Sequence, residues 1–101
     1  MDIEIRYFED CPNWLPIERS ITELAAELGI EVEVSHTIVG TPEEAERLSF
    51  KGSPTVVING TDPWEDGEAP VGLSCRVYRT KDGFTGAPSE AQLREAIEAA
   101  R

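Results

Sequence analysis

Cys11 lies in the stretch "FEDCPNW" (8–14) and Cys75 in "SCRVYRT" (74–80). These two side chains are the ones best suited to chemistry of their own, because a thiolate is both a nucleophile and a soft ligand. Cys11 follows a short apolar strand pattern and precedes a Pro-Asn-Trp that reads as a helix opening. The free N–H groups and macrodipole of a helix start favour an anion there. Glu9 and Asp10, directly before the cysteine, oppose a thiolate. Pro16 is best tolerated in a first helical turn, which places the start of the regular helix near Asn13. The expectation is a partly exposed, mildly activated thiol. The alternative is a buried, inert small residue, which free cysteines often are.

Other candidates carry less. His36, the single histidine, falls on an apolar strand face and reads as packed or hydrogen-bonded rather than catalytic. Cys11, His36 and Cys75 lack metal-ligand spacing and a closed zinc site wants a fourth ligand, so neither metal nor cofactor is expected. Trp64 in "DPWEDG" reads as a pin for its own loop. No Gly-rich phosphate loop or nucleophile–base–acid set is visible.

The elements that must position the thiols follow from periodicity. Residues 2–8 alternate, with Ile3, Ile5 and Tyr7 on one side, and read as a strand. Ile17, Ile21, Leu24, Ala25 and Leu28 form a helical stripe that Gly29 stops. Residues 31–39 alternate again, and "TPEEAERL" offers Thr41 as N-cap, Pro42 at the first helical position and Glu44 three residues after the cap. "PTVVI" (54–58) is continuously apolar, as a strand covered on both faces would be, and Asn59-Gly60 is a turn signal. Residues 61–73 read as a long loop, "SCRVYRT" as a strand and Lys81-Asp82-Gly83 as a turn. Ser89 and Gln92 make a capping box for a last helix striped by Leu93, Ala96, Ile97 and Ala100. The order β-α-β-α-β-(loop)-β-α implies a right-handed βαβ crossover and helices layered on a small mixed sheet.

A length of 101 residues fits one domain spanning 1–101. No run approaches the ~18–20 apolar residues that span a bilayer, and the charged, alternating N-terminus is unlike a signal peptide. A cytoplasmic location is therefore expected. The net charge of −11 repels phosphate backbones and anionic lipids, so neither nucleic acid nor membrane is expected as a partner. A structural disulfide is not expected in such a compartment; the two cysteines are inert, reactive or a redox-switchable pair.

Three landmarks in this order resemble the thioredoxin-like superfamily, and the resemblance covers nearly the whole chain. "CPNW" after a strand sits where that family's Cys-x-x-Cys opens its first core helix, "GSPTVVING" resembles its cis-proline loop and third core strand, and "FTGAPSEAQLREAI" resembles its closing glycine turn and last helix. The short N-terminus is closer to the glutaredoxin-like minimal members. The resemblance implies a thioredoxin-like fold, with a small mixed four-stranded sheet flanked by three helices. It also implies a cis bond before Pro54, in a loop facing Cys11. Trp14 replaces the second active-site cysteine, Ile5 stands where many thioredoxins carry a buried acid, and an insertion holding Cys75 separates the last two strands.

On that resemblance, the leading reading is thiol–disulfide exchange through Cys11, with a protein or low-molecular-weight thiol or disulfide as partner. Ser53, Pro54 and Thr55 would hold an extended substrate by strand-like hydrogen bonds. Trp14 would wall the thiol, or else cover a core edge. If "VGLSC" returns towards Cys11 as the last strand and turn of glutaredoxins do, Cys75 can resolve, with Arg76 helping to hold a thiolate. If "SCRVYRT" is a plain hairpin strand, Cys75 lies far from Cys11, packed inward. The reading from a different class is a non-catalytic thioredoxin-fold module that binds a partner protein or a soft metal.

Overall fold

The computed structural model describes residues 1–11, 14–65, 67, 70–81 and 83–101. The expected helix opening at Pro12-Asn13, part of the 61–73 loop and Asp82 of the expected turn lie outside these residues. The elements in chain order are β1 (Asp2–Tyr7), α1 (Trp14–Leu28), β2 (Glu33–Ile38), α2 (Pro42–Leu48), β3 (Thr55–Ile58), β4 (Tyr78–Thr80), β5 (Gly83–Thr85) and α3 (Glu90–Ala99).

The first sheet has the order β2-β1-β3, with β1 parallel to β2 and antiparallel to β3. Alternation along β1 sends Ile3 and Ile5 into the main core, where Val56 and Ile58 of β3 join them. The α1 stripe of Ile17, Ile21 and Leu24 and the α3 pair Leu93 and Ile97 complete that core. Each such side chain contributes about 1.5–3 kcal/mol on leaving water. Pro16 is accommodated because it is the third residue of α1, where its missing N–H leaves no intrahelical bond unmade.

Both predicted caps form. The Thr41 hydroxyl accepts from the Glu44 N–H, and Ser89 and Gln92 make reciprocal bonds at the start of α3. Beyond α2 the chain turns through a left-handed Ser49, and the Phe50 N–H bonds back to the Ala45 carbonyl at 2.8 Å. Phe50 is thereby set into a smaller cluster with Val39 and Ala45. That anchor fixes where the following loop, Lys51 to Pro54, begins.

The expected four-stranded sheet does not form among the described residues. β3 has β1 on one side, while β4 pairs antiparallel with β5 in a separate two-stranded hairpin. The segment before β4 meets the start of β3 as an isolated parallel bridge, Ser53 to Cys75, and no ladder along β3 grows from it among the described residues. At the far end of β3, Ile58 instead closes on Thr61 across the Asn59-Gly60 turn. Among the described residues, no helix is long and apolar enough to cross a membrane.

Candidate thiol site

Cys11 is positioned by the end of β1. The chain leaves Tyr7 into a turn closed by the Cys11 N–H and the Phe8 carbonyl, 3.1 Å apart, and the Phe8 N–H reaches the Ser53 hydroxyl at 3.3 Å. Contrary to the expected partial exposure, Cys11 is 0% exposed. Its Sγ lies 3.4 Å from the Ser53 carbonyl oxygen, and the Ser53–Pro54 bond in that loop is cis.

The covering side is built by the segment that carries Cys75. The Ser53 N–H donates to the Ser74 carbonyl and the Arg76 N–H to the Ser53 carbonyl, both at 2.8 Å. Upstream, the Gly72 N–H donates to the Phe50 carbonyl at 3.1 Å. This docking brings the Cys75 Sγ to 3.3 Å from that of Cys11, with both cysteines as free thiols. Cys75 is exposed rather than packed inward. Its S–H donates to Cys11, and that bond, with some burial and the electrostatic influence of the adjacent Cys11, raises the Cys75 thiol above its ordinary range.

An extended backbone alternates its side chains, so the residues beside Cys75 point the other way. Arg76 is buried and its guanidinium is held on several sides. It pairs with Asp62 at 2.6 Å, donates to the Trp64 carbonyl and to Thr55 Oγ1, and lies 4.7 Å over the Tyr78 ring. Its partners are therefore Asp62, Trp64 and Thr55 rather than a thiol, which corrects the expectation that it would hold a thiolate. Tyr78 is buried too, and its hydroxyl donates to the Pro54 carbonyl. Burial, more than any neighbouring charge, pushes that phenol far up, so it stays a donor.

Gly52 makes the docking possible. Its φ is +121°, and a Cβ there would sit 2.8 Å from the Arg76 Cβ and 2.9 Å from the Arg76 backbone. Only a residue without a side chain fits both the conformation and the approach.

Of the residues expected at a site, the structure brings Cys11, Ser53, Pro54, Thr55 and Cys75 together. The bonds expected to hold a substrate at Ser53 are instead made by the chain's own Ser74 and Arg76. Trp14 is elsewhere in its contacts: it stacks on Tyr7 at 4.6 Å and meets His36 edge-on at 5.3 Å, beside the main core. His36 is exposed and lies 2.8 Å from Glu18. Sequence reasoning missed Gly52, Asp62 and Tyr78 as supports of the site. The signal for Gly52 was its place directly before Ser-Pro; Asp62 and Tyr78 had none.

A cavity of about 670 Å³ opens beside this docked segment, lined by Lys51, Trp64, Cys75, Arg79 and Phe84 among others. Two thiols in contact, one exposed and one covered, can form a disulfide without rearranging the sheet. Compared with known proteins, the chain matches no family model, no curated protein and no solved structure.

Proposed function

We propose that the chain is a thioredoxin-like thiol–disulfide exchange protein in which Cys11 and Cys75 cycle between dithiol and disulfide. The observation that carries this is the 3.3 Å separation of the two Sγ atoms, imposed by backbone hydrogen bonds rather than by side-chain drift. The strand order β2-β1-β3, the helix following β1 and the cis-proline loop against Cys11 support the superfamily assignment. The absence of a second cysteine at Trp14 then matters little, because Cys75 arrives from the insertion to stand beside Cys11.

The test is turnover. With dithiothreitol as reductant, the protein should accelerate reduction of a small disulfide above the reagent's own rate, and Cys11→Ser and Cys75→Ser should each remove most of that acceleration. The burial of Cys11 favours one other reading, a non-catalytic module whose docked segment covers an idle thiol. Rates equal to those of the reductant alone would select it.

A further inference from the structure

We propose that Cys75, not Cys11, is the sulfur that first bonds to substrate, that the substrate lies in the cavity beside Lys51, Trp64, Arg79 and Phe84, and that Cys11 resolves. This rests on the exchange reading above and assigns the order of events within it. Thiol–disulfide exchange needs an attacking sulfur to approach a disulfide sulfur, so access decides which thiol reacts first. Cys11 is 0% exposed, with the Cys75 Sγ at 3.3 Å and the Ser53 carbonyl oxygen at 3.4 Å closing on its sulfur. Cys75 is exposed and lines the cavity, while Cys11 is not among that cavity's described lining residues.

The chemistry balances with a disulfide substrate. The Cys75 thiol gives its proton to solvent and attacks one sulfur of R–S–S–R′. A Cys75–S–R bond forms, the substrate S–S bond breaks, and R′–S⁻ departs and is protonated. Cys11 then attacks the Cys75 Sγ. The Cys11–Cys75 bond forms, the bond from Cys75 to R–S breaks, and the leaving thiolate takes the proton that Cys11 gives up. The substrate gains two electrons and the protein loses two. In the return direction an external thiol attacks the exposed Cys75 Sγ and expels Cys11, whose thiolate takes a proton. A second external thiol then attacks the outer sulfur of the Cys75 mixed disulfide, frees Cys75 as a thiol and leaves joined to the first as a disulfide.

The cavity also defines a substrate class. The chain holds 20 acidic residues and nine basic ones, yet Lys51, Arg76 and Arg79 line this cavity against a single described acid, Glu65. Phe84 and Val77, 73% and 65% exposed, add apolar surface. A small disulfide with an apolar body and a carboxylate suits that lining. Arg79 is the cation to test, since Arg76 is committed to Asp62 and Lys51 to Glu65.

The probe is 5,5′-dithiobis(2-nitrobenzoate), an aromatic disulfide bearing carboxylates. Wild type should release two equivalents of coloured thiolate and end as the intramolecular disulfide. Cys11→Ser should release one equivalent, at least as fast as the first equivalent from wild type, and keep a stable mixed disulfide on Cys75. Cys75→Ser should react on the order of 10-fold more slowly or worse, because Cys11 must wait for local opening. Arg79→Gln should slow the first step roughly 2–5-fold, the size of one exposed charge interaction. A brief iodoacetamide pulse on the unmodified protein, with peptide mapping, guards against variants that disturb the fold; Cys75 should carry the first label. First label on Cys11, with Cys75→Ser reacting as fast as wild type, overturns the proposal while leaving the exchange reading intact. A wild type that releases one equivalent and never forms the internal disulfide overturns the exchange reading itself, and the resolving role with it.

Discussion

Ser53 and Cys75 face each other across a parallel bridge one residue long, held by the Ser53 N–H on the Ser74 carbonyl and the Arg76 N–H on the Ser53 carbonyl. The same Ser53 carbonyl lies 3.4 Å from the Cys11 Sγ, so one residue sets the position of both thiols. The surroundings of that bridge are what experiments can perturb.

Gly52→Ala should separate the thiols. The added Cβ meets the Arg76 Cβ at 2.8 Å and backbone at 2.9 Å, and a rigid backbone cannot move aside cheaply. The expected cost is roughly 1–3 kcal/mol, typical of overpacking, with a matching drop in the rate of internal disulfide formation. Urea unfolding and timed alkylation measure the two effects. Unchanged disulfide formation in this variant would show that the docking does not need the close approach.

Arg76→Met should destabilise the docked segment through its lost charge. Asp62 is left mostly buried, with a side chain only 16% exposed, and without its cation. Breaking a buried pair from one side costs roughly 3–5 kcal/mol. Asp62→Asn in the same background should restore part of the loss, because the stranded charge is removed. Denaturant midpoints of the single and double variants give the comparison.

Tyr78→Phe removes the donor to the Pro54 carbonyl and nothing else of size. An unsatisfied buried acceptor costs roughly 1–3 kcal/mol, so a lower melting temperature is expected with the thiol chemistry retained. A melting temperature equal to wild type would mean that the carbonyl finds another donor.

The pH dependence of Cys75 follows from its hydrogen bond. The protonated thiol donates to Cys11, which favours the neutral form, so its reactive thiolate appears only at higher pH than for an unperturbed cysteine. Cys11→Ala removes the first and third of the three causes, and the alkylation rate of Cys75 should then rise at neutral pH, its profile shifting to lower pH. Rate against pH in the two proteins tests the sign. A shift to higher pH would contradict the hydrogen-bond direction.

Much of the fold was legible because periodicity and capping are local. The α1 stripe from Ile17 to Leu24, the Thr41 cap and the Ser89–Gln92 box needed only spacing. The four-stranded sheet was not recoverable in this way, because a parallel contact at Ser53 depends on where a distant segment docks. For the same reason, Cys75 could be placed either beside Cys11 or far from it. Trp14 looked like a site residue by its position after Cys11, but stacking on Tyr7 gave it a place in the core margin. The burial of Cys11 is likewise a tertiary fact: the turn that holds it is local, while its cover comes from residues 74–76.

The most direct measurement is the mass of the folded protein after mild oxidation, with free thiols then alkylated and the peptides mapped without reduction. The expected product is a monomer that accepts no alkylating label and yields one cross-linked peptide pair joining Cys11 to Cys75. Two labelled thiols, or a dimer bridged through Cys75 with Cys11 still reduced, would contradict it.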